Sequence, residues 1–377
     1  FHCLCYPKEK YLLGHPSMTF NVLVDFAHKL GATNAQIASF YNDYWERPIA
    51  LSQPNFIDWQ FGATPDNHCI VAIVNSEIVG IMAAKPRLFL YDSNSFNGAE
   101  LSTWVVSPKV RGLGIGKKTL RFLQSNFQVL VGTGISAAAL PLYLSLGFSF
   151  SAYLPRFIYI SNFQTIKNLT KFDVQAERLT KARRTKPPVR FTSKKSNASE
   201  LSALNATFTF NGFDRADDYF NWRYETHPIF DYEFHLITDE HGSHAGIILR
   251  RDSNKTTNFI HVCDIIGDPR AILSAVCFLE QYAENMGAAF IDASITKGTT
   301  VAAFRQRGWI SAVDDSYVQI PSLFYPLEIR SPATTSLIFW ATDSVPSIFD
   351  LSAITLAKGD LDLDRPTLSF YENNGLK

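Results

Sequence analysis

The chain repeats itself once, and this limits its possible folds more than any single motif. Around Trp59 it reads Phe56-Ile57-Asp58-Trp59-Gln60, with Pro65 six residues beyond the Trp. Around Trp222 it reads Tyr219-Phe220-Asn221-Trp222-Arg223, with Pro228 at the same spacing. Ten residues past each Trp a β-type run begins, Cys69 to Val74 and Tyr232 to Ile237. Each is followed by a polar turn and a second strand containing Gly80 or Gly246, then a third strand ending at Pro108 or Pro269. An amphipathic helix and a buried strand come next, the strands being Val129 to Ser136 and Ala288 to Thr296. The last matched element is Tyr143-Leu144-Ser145-Leu146-Gly147-Phe148 in one half and Phe304-Arg305-Gln306-Arg307-Gly308-Trp309 in the other. Both read as a helix closed by a Gly, which suits a left-handed cap, with an aromatic entering a strand. Agreement in order and spacing argues for a duplicated α/β unit of helices and mixed sheet.

At 377 residues the chain has room for two cores. Its 35 basic and 35 acidic side chains give zero formal net charge, which discourages a nucleic-acid partner, since that needs a clustered positive excess. Phe122 to Pro155 holds no charged residue but is broken by Gly132, Gly134, Pro141 and Gly147. A buried strand, helix and strand fit it better than a membrane span of about 20 apolar residues. The five Cys, at 3, 5, 69, 263 and 277, form no CxxC and no zinc-type spacing, so no metal site is expected and reduced thiols of a cytoplasmic protein are the simplest reading. Residues 1–17 lack the apolar core of a signal peptide and read as an N-terminal extension. Residues 166–188, charged and poor in aromatics, read as a linker with a short helix in its first part.

The strongest local signal is Val105-Val106-Ser107-Pro108-Lys109-Val110-Arg111-Gly112-Leu113-Gly114-Ile115-Gly116-Lys117-Lys118. A β-branched strand runs into a Gly-rich turn and then a helix. Glycines let backbone amides approach a ligand, and a helix N-terminus favours anions, so the loop is expected to hold a phosphate or diphosphate. A Walker loop fails, because Gly112 to Lys118 reads Gly-x-Gly-x-Gly-Lys-Lys, and a Rossmann fingerprint is absent in register. A Gly-rich turn without a ligand is the alternative.

Arg111-x-x-Gly114-x-Gly116, preceded by a strand and Pro108, resembles the pyrophosphate-binding motif of the GNAT acyltransferase superfamily. The resemblance covers roughly residues 20 to 160 and extends to Ala139, Leu142, Tyr143, Gly147 and Phe148; Ser136 stands where many members have Asn. It implies acetyl-CoA or another acyl-CoA as co-substrate, an acyl-CoA domain at 18–165, and a second, degenerate GNAT-like domain at 189–377. The cofactor-binding residues would be Arg111, Gly112, Leu113, Gly114, Ile115, Gly116 and Lys117, with amides of Val105 and Val106 as donors to a developing oxyanion. Glu100 would be the base, directly or through water, with Ser102 as relay, and Tyr143 would protonate the leaving thiolate. Strand alternation places Glu100, Ser102 and Trp104 on one face. Glu100 read by itself is equally an exposed strand-end Glu, and Tyr143 a core Tyr.

The second half ends its third strand Asp264-Ile265-Ile266-Gly267-Asp268-Pro269 and continues straight to Arg270-Ala271-Ile272. The Gly-rich loop is missing and Phe304 stands where Tyr143 does, so this half is expected not to bind coenzyme A and to serve as a wall for the acceptor. The runs Tyr219 to Pro228 and Gly359 to Pro366 resemble segments of two-domain GNAT-like proteins of bacterial polysaccharide biosynthesis. That resemblance implies a nucleotide-linked amino sugar, dTDP- or UDP-activated, as acceptor, with Arg223, Tyr224 and Asp264 as candidate contacts. Trp222 is read as packed, because Trp59 occupies its place in the other half. The acidic tail is otherwise a solvated terminal turn. A small free amine or a protein amine is the rival acceptor, and a non-catalytic coenzyme A sensor the rival of another class.

Overall fold

The computed structural model describes residues 21–366 except 47, 63–68, 168–173, 184–188, 216–217, 255–256, 316–317, 319–322, 325–326, 329–333, 346–349 and 361–362. The N-terminal extension with Cys3 and Cys5, Pro65, the basic end of the linker and Asp362 lie outside the described residues.

The first part of the chain forms strands β1 (Leu23–Phe26), β2 (Cys69–Val74), β3 (Glu77–Tyr91), β4 (Asn94–Val106), β5 (Val129–Thr133), β6 (Ser149–Ser151) and β7 (Arg156–Ile160). Helices α1 (Asn34–Tyr44), α2 (Pro54–Phe61), α3 (Ile115–Asn126) and α4 (Leu140–Ser145) lie between them. After α5 (Phe163–Ile166) and α6 (Val174–Ala182) come β8 (Phe191–Lys195), α7 (Ala198–Asn205), β9 (Gly212–Phe213) and a π-helical turn, Asn221–Glu225. Then follow β10 (Glu233–Asp239), β11 (His244–Asn254), β12 (Thr257–Gly267), α8 (Ile272–Asn285), β13 (Phe290–Ser294), α9 (Gly298–Gln306) and β14 (Ile310–Ser311). A short pair, β15 (Leu323–Phe324) and β16 (Leu327–Glu328), precedes β17 (Leu337–Ala341).

These elements form two mixed sheets of the same design. One is ordered β1-β2-β3-β4-β5-β17-β6, with β9 attached to β3, and the other β8-β10-β11-β12-β13-β7-β14. In each, the fourth and fifth strands are parallel, β4 with β5 and β12 with β13. In each, the strand beyond the fifth comes from the other half of the chain. β17 lies antiparallel between β5 and β6, and β7 antiparallel between β13 and β14. The halves have exchanged a strand. The sequence divided the chain at 166–188, but the sheets are not divided there: β7 precedes that segment and serves the second sheet.

The repeat read in the sequence is a structural repeat. Gly147 and Gly308 both adopt left-handed φ, +80° and +75°. Phe148 N–H reaches Tyr143 C=O at 3.2 Å and Trp309 N–H reaches Phe304 C=O at 3.0 Å, so both helices close with the same motif. The two Trp of the repeat meet each other. Trp59 and Trp222 stack with ring centroids 5.5 Å apart. Trp59 Nε1 donates to Trp222 C=O at 3.3 Å, and Trp222 Nε1 donates to Trp59 C=O at 2.8 Å. Trp222 therefore packs, as expected, but across the junction of the halves.

One irregularity shapes both sheets. The β3–β4 register shifts between Met82 and Ala83, which leaves Thr103 as an extra residue. The β11–β12 register shifts between Ile248 and Leu249, which leaves Cys263 extra. Thr103 has φ +41°, a strained value for a β-branched residue. The parallel ladders are short, Gly98 to Leu101 with Val129 to Gly132 and Phe259 to Val262 with Phe290 to Ala293. Beyond them the fourth strand leaves the fifth, and a wedge opens. The apolar stretch 122–155 forms the end of α3, then β5, α4 and β6. Among the described residues no helix is long and apolar enough to cross a membrane.

Because each sheet takes a strand from the other half, the halves are expected to unfold together. Urea denaturation followed by far-ultraviolet dichroism and by Trp fluorescence should give one coincident transition. Two separated transitions would contradict the strand exchange.

Candidate active site

The Gly-rich loop leads directly into the start of α3. Pro108–Val110 form one 3₁₀ turn, and Gly112 and Gly114 follow at φ +86° and +77°. A Cβ at either glycine would meet nothing within 4 Å, so glycine is required there by backbone conformation and leaves open space above the loop. The first backbone bond of α3 runs from Lys118 N–H to Gly114 C=O, 3.0 Å. The amides of Ile115, Gly116 and Lys117 precede it and are the donors a helix start leaves for a ligand. Ile115 anchors the turn with a buried side chain, while Leu113 and Lys117 are exposed. Arg111 Nε donates to Val106 C=O at 3.2 Å and ties the loop to the end of β4.

Gly116 serves packing. Its Cβ would stand 2.7 Å from Trp104 Cζ2, so α3 sits directly on the Trp104 ring. Trp104 also meets Tyr143 edge-on at 5.3 Å. Among the described residues the buried Trp104 Nε1 has no hydrogen-bond acceptor. A buried donor left open beside the wedge is one a ligand carbonyl or phosphate can satisfy.

The bulge decides which groups face the wedge. Ser107 N–H donates to Val79 C=O at 2.8 Å, in register with the β3–β4 ladder. Strand alternation then turns Val105 N–H toward β3 and leaves Val106 N–H and Trp104 N–H on the unpaired side. Of the two amides expected as donors, Val106 lies on the unpaired side and Val105 faces β3; the Trp104 amide shares the unpaired side. The bulge also breaks the expected side-chain face. Leu101 and Trp104 pack with Met82, Ala84 and Tyr143 under α3 and α4, whereas Val105 packs with Ile81 and Ala83 under α1 and α2. Glu100 and Ser102 share the latter side, because Thr103 is an extra step between Ser102 and Trp104.

Glu100 is not an exposed strand-end residue. Its side chain is 14% exposed, and Oε1 accepts from Arg87 Nη1 at 2.5 Å. Arg87 also reaches Asp360 Oδ1 at 3.0 Å and Asp214 C=O at 2.7 Å. Burial pushes the Glu100 carboxyl up to about 7, Arg87 pulls it back, and Asp360 pushes it further up. Lys85, its cross-strand partner, holds its ammonium 3.9 Å above the Trp222 ring and is lowered to about 8 by burial. Ser102 Oγ lies 2.9 Å from Thr103 Oγ1, which accepts from Arg365 Nη1 at 2.7 Å. Tyr41 Oη donates to Thr103 C=O at 3.0 Å.

Tyr143 is buried on the α3–α4 side, between Trp104 and Phe148. Burial raises its pKa and keeps the phenol protonated at neutral pH. Glu100 and Tyr143 thus lie on opposite sides of β4, and the wedge is the opening between them.

The three candidate acceptor contacts are internal. Arg223 is buried and donates to Gly359 C=O at 3.0 Å, Tyr232 Oη at 3.3 Å and Asp364 C=O at 3.4 Å. Tyr224 is buried against Tyr232 and Phe220. Asp264 pairs with Arg215 at 2.9 Å, both side chains almost fully buried. They form no open wall, because residues 354–360 and 363–366 fold back over them. That segment is also no solvated turn: Asp360 is fully buried, and Asp364 accepts from Arg250 Nη2 at 2.6 Å and from Tyr232 Oη at 2.8 Å.

The same segment fills the wedge of the second half. Ala357 bridges Ile295 in antiparallel fashion, and Thr296 N–H donates to Leu356 C=O at 3.0 Å. Gly359 N–H then donates to the carbonyl of the bulge residue Cys263 at 3.1 Å. The cleft of the second half is occupied by the chain itself. Arg87, Arg215, Asp360, Thr103 and Arg365 were not singled out in the sequence; the one available hint was the pair Lys85 and Arg87 around Pro86 in a mostly apolar strand. Among the described residues no group of three or more His, Cys, Asp or Glu is arranged to hold a metal ion.

Residues 35–148 match the acetyltransferase (GNAT) family. No curated protein matches the chain. Among solved structures it is similar to a GCN5-related N-acetyltransferase from Anabaena variabilis, with TM-score 0.55, 12% identity, and 85% of this chain and 72% of that one covered. It is also similar to a GCN5-related N-acetyltransferase from Kribbella flavida, with TM-score 0.53, 11% identity, and 88% and 73% covered. These likenesses show the fold over both halves. The family match supports an N-acyltransferase that takes acetyl-CoA or another acyl-CoA.

Two glycine substitutions separate ligand from packing. Gly114→Glu should lower coenzyme A affinity about a hundredfold or more by calorimetry, with a stability cost of about 1–2 kcal/mol from the left-handed backbone. Gly116→Ala should destabilise the fold by about 1–3 kcal/mol through its collision with Trp104. Full coenzyme A affinity in Gly114→Glu would remove the loop from the ligand site.

Proposed function

We propose that the chain transfers an acyl group from acyl-CoA to a primary amine, at the wedge between β4 and β5. The loop Arg111 to Lys117 would receive the diphosphate, with the amides of Ile115, Gly116 and Lys117 as donors. The amides of Trp104 and Val106 would hold the amide-bearing arm and the thioester carbonyl. Glu100 would take the proton of the attacking amine, directly or through water, with Ser102 close by as a relay. Tyr143, protonated throughout the neutral range, would supply the proton to the leaving thiolate.

The observation that carries this reading is the contrast between the two wedges. Both are opened by a bulge at the same place. The second takes up a peptide, residues 354–359, that donates to Cys263 C=O of β12 and accepts from Thr296 N–H just past β13. The first leaves two amides on its edge and adds a glycine loop at its mouth. A wedge that accommodates an extended amide chain in one half suits the amide-bearing arm of coenzyme A in the other.

Glu100 faces Lys85, Arg87 and the Trp59–Trp222 junction, an enclosed position that favours a small amine over a protein tail. The runs 219–228 and 359–366 are what suggested a nucleotide-linked amino sugar. We keep that class as the first acceptor to assay, but Arg223, Tyr224 and Asp264 do not support it, being engaged internally. Recognition of a nucleotide would have to come from other side chains.

The test is steady-state kinetics with acetyl-CoA and a panel of amines that includes dTDP- and UDP-linked amino sugars. A base with a pKa near 7 is active when deprotonated. So kcat/KM should rise about tenfold per pH unit below 7 and level off above it. Glu100→Gln should flatten this limb and lower kcat by about 10²–10⁴. Tyr143→Phe should slow turnover while sparing coenzyme A affinity. An unchanged limb in Glu100→Gln would leave a coenzyme A-binding protein with a different base or none.

A further inference from the structure

A single chain of buried charges connects the two halves. Glu100 pairs with Arg87 at 2.5 Å, Arg87 with Asp360 at 3.0 Å, Asp360 with Arg215 at 2.5 Å, and Arg215 with Asp264 at 2.9 Å. Exposure of these side chains falls from 14% at Glu100 to 0% at Asp360 and Asp264. One end of the chain sits three residues before the bulge of β4. The other end, Asp264, directly follows the bulge of β12. The middle carboxylate belongs to neither sheet. It is carried on the segment that fills the second wedge.

Asp360 is seated by that filling. Its Oδ2 accepts from Ala357 N–H at 2.9 Å, its own N–H donates to Ala357 C=O at 3.0 Å, and the preceding Gly359 is held on Cys263 C=O. A Cβ at residue 359 would overlap the Tyr224 hydroxyl, so only glycine permits this approach. Arg87 in turn is locked: Tyr219 lies 4.2 Å and Phe213 5.0 Å from its guanidinium carbon. Its Nη2 is taken by Asp214 C=O, and its Nη1 is shared between Glu100 and Asp360.

We propose that Asp360, held in place by the occupied wedge of the second half, is a positioning residue for acyl transfer: through Arg87 it fixes Glu100 beside the open wedge of the first half. This rests on the reading of Glu100 as the base, and it can fail while that reading stands. A free guanidinium next to a buried carboxylate forms a two-pronged pair with both oxygens. Asp360 and Asp214 C=O draw the Arg87 donors away, so that Arg87 bonds Glu100 at Oε1 alone. Asp360 also offsets the positive charge facing Glu100, which comes from Arg87 and Arg223 and from Lys85 across the hairpin. Glu100 therefore stays basic enough to take a proton. The second half, closed to coenzyme A, acts on the reaction by holding one carboxylate.

The experiment compares Asp360→Asn and Glu100→Gln in the full chain, with kcat, KM for acetyl-CoA and the pH profile as readouts. Asp360→Asn should lower kcat about tenfold or more and shift the pH limb to lower pH, with KM for acetyl-CoA within about twofold. A merely structural role would lower active protein without moving the limb. The parent kcat and limb in folded Asp360→Asn would overturn the proposal. An unchanged limb in Glu100→Gln would instead overturn the assignment of the base. If melting shows that Asp360→Asn does not fold, Arg87→Lys decides. It keeps the charge, but one ammonium cannot bridge Glu100, Asp360 and the Asp214 carbonyl. The same loss of kcat is then expected, with the limb moved from its parent position, and parent kcat and limb overturn the proposal.

Discussion

The structure depends on the reciprocal exchange of one strand. Without β17, β5 and β6 would each present an unpaired edge, and without β7 so would β13 and β14. The exchange is possible because the two sheets have the same strand order, so each offers the other an identical slot. Its consequences reach the site. β17 lies along β5, and residues 354–360 and 363–366 lie between the halves. The paired indoles of Trp59 and Trp222, each donating to the other's carbonyl, mark where the related units meet. Each such bond contributes about 1 kcal/mol, so they fix the register of the halves more than they stabilise the whole.

Two equivalent wedges have acquired opposite fates. Both arise from one extra residue in the fourth strand, Thr103 or Cys263, which bends that strand off its parallel neighbour. In the first half the strand leads to Gly112 and Gly114, whose left-handed backbone and empty surroundings leave the start of α3 open to an anion. In the second half Asp268 and Arg270 pair with each other and the helix begins at Ile272 without a glycine loop. There the chain's own later segment fills the wedge. A duplicated fold has thus left a glycine loop at the mouth of one wedge and used the other to seat a structural segment bearing Asp360.

What was legible in the sequence follows from range. The repeat, the left-handed caps at Gly147 and Gly308, the glycine loop and the absence of that loop from the second half were all visible, because each is a local demand on backbone conformation. The bulge at Thr103 was not. A β-branched residue carries no signal for left-handed φ, and missing it put Trp104 on the face of Glu100 and the Val105 amide on the unpaired side. The strand exchange was not legible either, since Leu337 to Ala341 reads as any buried strand and pairs with partners some 200 residues away. The burial of Asp360 and Asp364 ran against their type. Acidic residues near a terminus are usually solvated, and only the long-range meeting with Arg87, Arg215 and Arg250 permits their burial.

The central claim is that one wedge of the two takes acyl-CoA. Hydrogen exchange of the full chain, with and without saturating coenzyme A, tests it most directly. The expected result is added protection at the amides of Trp104, Val106 and residues 113–117, with the β12 amides from Cys263 to Ile266 unchanged. Protection at β12, or none at the loop and β4 despite measured binding, would contradict it.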